Sequence, residues 1–169
     1  AELYDDTEGR VLHALNFIIQ ADGWTVPDEA AAVHGITTEI ALSHGVPMRA
    51  VLPLFVSLWK QSDIRCAHNE SFDMRMLRIE FMRDPGFDAE YADRWKAGKA
   101  FCTQAKSTNV LNLPPTPRMI AVGRKHPKSP NLGEAYEFFT GRKLVNAHDA
   151  AVDVAACKAV YLALKERAA

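Results

Sequence analysis

The chain opens its last apolar helical pattern with the sequence HDAAVD (residues 148–153), and the sequence HNESFD (residues 68–73) opens an earlier one. Each stretch begins with a histidine and ends with an aspartate. Two such carboxylates, brought together by the fold, can bind a divalent metal ion, and a histidine can activate a water molecule for attack on a phosphodiester. The two stretches therefore predict a metal site that handles phosphodiesters, with Asp73 and Asp153 as ligands.

The spacing in residues 148–153 limits where the histidine can lie. His148 and Asp153 are five residues apart, which is about 140° around a helix of 3.6 residues per turn. We therefore expect His148 to precede the helix, Asp149 to cap it and Asp153 to lie in its second turn. On this stretch alone, a helix cap followed by a solvated surface aspartate is the alternative interpretation.

The earlier stretch also has an ordinary interpretation. An aspartate in the first turn of a helix, as expected for Asp73, is stabilised by the helix dipole whether or not it binds a metal. His68, taken singly, fits a hydrogen-bonded structural histidine. The metal-site prediction therefore depends on the two stretches occurring together.

Composition predicts one domain over residues 1–169. The chain is 48% hydrophobic, which is enough for one buried core. Its net charge of −1 gives no overall attraction to polyanions, so nucleic-acid binding requires bound metal or a local basic patch. One such patch lies in a proline-rich loop, with a solvated loop as the alternative; its basic residues are Arg118, Arg124, Lys125, His126 and Lys128.

Cysteine usage and hydropathy predict a cytoplasmic protein that does not enter the membrane. Cys66, Cys102 and Cys157 are far apart and in no Cys-x-x-Cys spacing, which is typical of thiols in a reducing compartment. No apolar run approaches the roughly 20 residues that span a bilayer, and the first residues do not form a signal peptide.

Local patterns predict an α/β fold whose mixed sheet includes an N-terminal antiparallel hairpin and is flanked by helices. Residues 1–5 and 11–20 form the hairpin around a turn at residues 5–9. Further strands are expected at 63–67 and 101–103, and an irregular loop at 112–130. Helices are expected at 27–33, 47–60, about 72–83, 132–139 and about 149–167.

The two stretches resemble motifs of a known enzyme family. His-Asn-x-x-Phe-Asp at a strand-to-helix junction, followed by His-Asp-Ala-x-x-Asp on a C-terminal helix, is similar to the second and third motifs of the DEDDh group of 3′–5′ exonucleases, which includes proofreading exonucleases. The sequence VHGIT (residues 33–37), with Glu29 just before it, resembles the family's nucleotide-binding loop. The resemblance extends from residue 1 to about residue 166.

The resemblance implies a ribonuclease H-like fold and two divalent ions, Mg²⁺ or Mn²⁺, that hold the scissile phosphate. Asp73 and Asp153 would match metal ligands, and His148 the general base. Glu29 and His34 would contact the terminal nucleotide, and Phe72 would stack against terminal bases. The implied partners are 3′ ends of single-stranded DNA or RNA, and a DNA polymerase.

The first family motif is where the sequence departs from the resemblance. The family carries Asp-x-Glu on its first strand, whereas the only such sequence near the start is Asp6-Thr7-Glu8, in the expected hairpin turn. We expect these residues to form a solvated turn, the family's first strand to lie upstream of Ala1, and the 169-residue chain alone to be inactive. The alternative for the motif is that Asp6 and Glu8 are themselves the metal ligands. The alternatives for the function are a non-catalytic nucleic-acid-binding or polymerase-associated module, and a diesterase for short oligoribonucleotides.

Overall fold

The computed structural model of the protein describes residues 1–167 and has an α/β architecture. The chain divides into two compact units. The first consists of residues 1–63 with the short segment 148–151, and the second of residues 64–147 with the chain from Val152 onward. The units are described separately below.

The first unit begins with the expected hairpin. Strands β1 (Glu2–Asp5) and β2 (Arg10–Ala14) pair antiparallel. The Asp5 side chain accepts hydrogen bonds from the Thr7 and Glu8 amides at 2.9 and 3.0 Å, which stabilises the turn. Gly9 completes the turn with a φ of 68°, a value that glycine adopts without strain.

Three helices follow the hairpin: α1 (Asp28–His34), α2 (Thr38–His44) and α3 (Met48–Trp59). Helix α1 ends at Gly35, which is left-handed and donates its amide to the Ala31 carbonyl. The threonine Thr37 caps α2 by accepting a hydrogen bond from the Ile40 amide. The side chains buried in this unit include Leu3, Ala21, Ala41, Leu52 and Val56.

The second unit contains the parallel strands β3 (Arg65–Ala67) and β4 (Ala100–Cys102), which pair Arg65 with Ala100 and Ala67 with Cys102. Its helices are α4 (Glu70–Arg83), α5 (Ala89–Ala97), α6 (Thr103–Leu111), α7 (Pro117–Ala121), α8 (Leu132–Thr140) and α9 (Ala150–Glu166), whose first two residues belong to the first unit. Phe81 and Trp95 are buried between α4 and α5, with their rings 5.9 Å apart. Ala135, Val160 and Leu164 form a second buried cluster.

The α/β class and most predicted elements are confirmed, but the single mixed sheet is wrong. Within residues 1–167 the hairpin and the β3–β4 pair are two separate two-stranded sheets. Helices α2, α5 and α6 were not expected, and α7 interrupts the loop predicted at 112–130. No helix in the described part of the chain is long and apolar enough to cross a membrane.

Candidate functional site

Asp73 lies just after the junction between β3 and α4. Asn69 precedes the helix in the left-handed conformation, with φ 72° and ψ 48°, which asparagine tolerates better than most residues. Its carbonyl accepts a hydrogen bond from the Phe72 amide at 2.8 Å, which begins the first turn. Asp73 therefore lies in the first turn of α4, as predicted, where the helix dipole favours negative charge.

The carboxyl of Asp73 is hard to ionise even though its residue is exposed to solvent. Partial burial of the carboxyl raises its pKa, the Asp73 amide opposes this by hydrogen bonding, and the negative charge of Glu70 raises the pKa further. A cation placed beside such a carboxylate stabilises its ionised form. The same property would make metal binding at Asp73 stronger as pH rises.

Glu70, one turn before Asp73, is a charged residue whose role the sequence analysis missed. It is buried and forms an ion pair with Arg65 of β3. Arg65 also donates to the carbonyls of Trp95 and Lys96 of α5, and its guanidinium lies 4.6 Å from the centre of the Trp95 ring. Arg65 therefore fixes the start of α4 against α5, and Glu70 already has a cationic partner.

His68 has a structural role in this arrangement. Its Nε2 lies 3.0 Å from the Pro130 carbonyl, which can only accept, so Nε2 carries the proton. Its Nδ1 lies 2.9 Å from the Thr103 hydroxyl. Burial lowers the pKa of His68, although the Pro130 carbonyl acts in the opposite direction. His68 therefore joins the end of β3 to α6 and to the loop that ends at Pro130.

The 148–153 stretch adopts the local structure that its spacing indicates. His148 precedes α9 with a φ of 77°. Asp149 accepts a hydrogen bond from the Ala151 amide at 2.9 Å, as an N-terminal cap does. Because α9 begins at Ala150, Asp153 lies in its first turn and not in the second. The role of His148 as a general base remains a prediction.

Cys157 is a half-buried thiol on the helix that carries Asp153. Cys157 lies one turn after Asp153, on the same side of α9. Its thiol lies 3.6 Å from the Thr103 hydroxyl and interacts with the Cys66 thiol of β3. The Cys66 interaction lowers the pKa of the Cys157 thiol, whereas burial and the negative charge of Asp73 act to raise it. The charge of Asp73 is the smallest of the effects on the Cys157 pKa.

The predicted nucleotide contacts lie on exposed surfaces. Phe72, beside Asp73, leaves 50% of its surface exposed, so its ring is available to a base. Glu29 and His34 are exposed in the first and last turns of α1. They are about 140° apart around the helix and so leave it in different directions. The His34 ring accepts a hydrogen bond from the Ile36 amide at 3.1 Å.

The Asp6-Thr7-Glu8 sequence lies in the hairpin turn, which confirms its predicted position. Asp6 and Glu8 are exposed, and Glu8 forms an ion pair with Arg10. Across residues 1–167, no three His, Cys, Asp or Glu side chains are grouped so that they could hold a metal ion. Any ion held by Asp73 and Asp153 therefore needs further ligands from substrate or water, an arrangement that is common for Mg²⁺.

The proline-rich loop differs from the prediction at Lys128. The Lys128 ammonium group forms an ion pair with Glu134. Glu134 also forms a capping box with Asn131 at the start of α8. Burial acts to raise the pKa of Glu134, but the hydrogen bonds from Lys128 and Asn131 outweigh it and lower the pKa. Lys128 thus stabilises the fold, and the other basic residues of the loop are the ones open to a ligand.

No protein-family model matches the chain, and no curated protein sequence matches it.

Proposed function

We propose that this protein is a metal-dependent 3′–5′ exonuclease of the DEDDh type, which removes nucleoside monophosphates from the 3′ ends of single-stranded nucleic acid. The main support is the position of Asp73. It lies in the first turn of α4, and its charge contributes to the pKa of Cys157, one turn beyond Asp153 on α9. The two aspartates, far apart in sequence, belong to the same compact unit. A ribonuclease H-like arrangement of the complete catalytic domain is part of the proposal.

Asp73 and Asp153 would hold a divalent cation, Mg²⁺ or Mn²⁺, through carboxylate oxygens, which both ions accept. When bound, the metal supplies charge that stabilises the attacking and leaving oxygens of the phosphodiester. Glu70 is not assigned as a ligand, because Arg65 already neutralises it. The family's remaining two carboxylates form an Asp-x-Glu pair, and the Asp6-Thr7-Glu8 sequence of this chain lies in the hairpin turn.

His148 would act as the general base that takes a proton from the attacking water. Its position just before the capped end of α9 leaves the ring outside the helix, while Asp153 belongs to a regular turn. Phe72 would stack on a base near the 3′ end, a contact that tolerates any sequence. Glu29 and His34 would contact the terminal nucleotide.

A nuclease assay on the protein expressed from its complete reading frame tests this function. A single-stranded oligonucleotide labelled at its 5′ end should be shortened stepwise when Mg²⁺ is present, and the Asp73→Asn and Asp153→Asn variants should leave it intact. The 169-residue chain, run in parallel, should be nearly inactive because it carries only two of the four motif carboxylates. Brisk hydrolysis by that chain would favour Asp6 and Glu8 as ligands.

A non-catalytic nucleic-acid-binding or polymerase-associated module is the second candidate. The observation in its favour is that the described residues contain no group of three metal ligands. It predicts that the complete protein binds single strands but releases no nucleotide with Mg²⁺ or Mn²⁺. Binding without hydrolysis would therefore select this candidate, and stepwise shortening would eliminate it.

A further inference from the structure

The short helix α7 and the turn after it bring two arginines to one hollow. Thr116 caps the helix by accepting a hydrogen bond from the Met119 amide at 3.2 Å. Gly123 then turns the chain with a φ of 75°, and the Arg124 amide donates to the Met119 carbonyl at 2.9 Å. The returning chain places Arg124 with Arg118 in the lining of the same hollow.

Hydrogen bonds and an ion pair fix the ends of the proline-rich loop (residues 112–130), called the α7 loop below. The Lys128 amide donates to the Leu113 carbonyl at 3.0 Å, which closes the loop, and the Lys128 side chain is paired with Glu134. The Pro130 carbonyl accepts hydrogen bonds from His68 and from Gln104, each at 3.0 Å. The loop is therefore attached to the same β3–α4 junction that carries Asp73.

The hollow has a volume of about 290 Å³, close to the lower limit of small-ligand sites, about 300 Å³. It is lined by Thr116, Arg118, Met119, Val122 and Arg124. Neither arginine forms an ion pair within residues 1–167, and residues 112–130 contain four Lys or Arg and no acidic residue. Val122 leaves 66% of its surface exposed, and Ile120 leaves 58%.

We propose that the α7 hollow binds one internal nucleotide of a single-stranded nucleic acid. Arg118 and Arg124 would contact phosphate oxygens, which guanidinium groups bind well, and Met119 with Val122 would contact the base. The inference rests on the proposed substrate class, single-stranded nucleic acid, but not on its hydrolysis. A membrane surface is the weaker match, because α7 has only five residues and the lining is concave, whereas interfacial helices present a long apolar face.

The phosphate contacts can be tested by fluorescence anisotropy with the 169-residue chain and a labelled single-stranded oligonucleotide in EDTA, so that neither metal nor hydrolysis contributes. The Arg118→Gln, Arg124→Gln double variant should bind more weakly. Its plot of log affinity against log salt concentration should be shallower by about 1.4, since each phosphate contact on a single strand contributes about 0.7. The Arg142→Gln, Lys143→Gln variant loses the same charge outside the hollow and should keep a steeper slope.

The base contact needs a separate measurement. Val122→Ser should weaken binding of a normal oligonucleotide but not of an abasic one, which has the phosphates without the bases. Equal slopes in the two charge variants would overturn the proposal, and so would stronger binding to phosphatidylserine vesicles than to the oligonucleotide. The binding assay does not depend on hydrolysis, so the two proposals can fail separately. If the hollow variant loses single-strand binding but the complete protein has no nuclease activity, only the proposed enzyme is refuted.

Discussion

At the scale of single residues, two carboxylates in one turn of α4 have opposite environments. Glu70 is buried against Arg65, whereas burial raises the pKa of Asp73 and no ion pair offsets it within residues 1–167. The charge of Glu70 is neutralised by an ion pair within the fold, whereas the ionised form of Asp73 is destabilised by its surroundings. Carboxyl groups with such raised pKa values cluster at functional sites.

Asp73→Asn should stabilise the metal-free chain. Folding raises the pKa of Asp73 above its ordinary value of 3.8, so the unfolded state loses this proton at a lower pH than the folded state does. The stability of the wild type therefore falls as pH rises from about 3.8 through the folded-state pKa. The variant should therefore have a higher urea midpoint than the wild type above this range and an equal one well below it. Glu90→Gln removes a carboxylate from the first turn of α5 and is the matched control. An Asp73→Asn midpoint equal to that of the wild type at high pH would contradict the prediction.

His148→Ala should reduce the hydrolysis rate of the complete protein by about 10²–10⁴-fold, the range typical of a lost general base. Its Mn²⁺ affinity should be unchanged, because the proposed ligands are Asp73 and Asp153. Single-turnover rates at saturating metal measure this effect. His13→Ala, at an exposed position in β2, is the control, and equal rates for the two variants would show that the base lies elsewhere.

At the scale of elements, α4 is positioned by side chains from outside the helix. Arg65 joins β3 to both Glu70 and α5, and His68 joins the end of β3 to Thr103 and Pro130. These bonds hold Asp73 relative to α6 and to the α7 loop. The catalytic proposal therefore depends on residues that would never contact the substrate.

Arg65→Met should lower the free energy of unfolding by about 3–5 kcal/mol, because it leaves the buried Glu70 carboxylate without its partner. Adding Glu70→Gln to this variant should recover part of the loss. Urea unfolding of the two single variants and the double variant measures the coupling. As a control, Arg83→Met breaks the exposed Arg83–Glu80 pair and should lower the free energy of unfolding by at most about 1 kcal/mol. A loss no larger than this for Arg65→Met would contradict the role assigned to Arg65.

The His68 bonds should make stability sensitive to acid. The pKa of His68 is lowered from its ordinary value of 6.5, so below that pH the unfolded chain takes up a proton more readily than the folded one. Stability should be complete above about pH 6.5 and decrease as pH falls towards the lower, folded-state pKa. His68→Gln, which can still donate and accept but does not titrate, should have a flatter curve of urea midpoint against pH.

At the scale of the whole molecule, local signals were sufficient for some elements. The Gly9 turn, the left-handed Gly35 after α1 and the periodic apolar residues of α3 were all readable from the sequence. Helix α6 was missed because it begins directly after β4 and has little periodicity. The mixed sheet was wrong because strand pairing is a long-range property that short apolar runs do not encode.

The candidate site follows the same division. Asp73 and Asp153 were selected from motifs; the structure confirms Asp73 in the first turn of its helix, whereas Asp153 lies in the first turn of α9 and not in the predicted second. The roles of Arg65, Glu70 and Thr103 were not predicted, because each depends on a partner that only the fold brings near. An arginine and a glutamate flanking an otherwise apolar strand were the one available signal for the ion pair.

Paramagnetic broadening by Mn²⁺ in NMR spectra of the 169-residue chain tests most directly whether Asp73 and Asp153 share a metal ion. At substoichiometric Mn²⁺, amide signals from the first turn of α4 and the first turn of α9 should broaden together, and Asp153→Asn should abolish the effect at both. Broadening confined to one of these turns, or centred on the hairpin turn at Asp6 and Glu8, would contradict the proposed site.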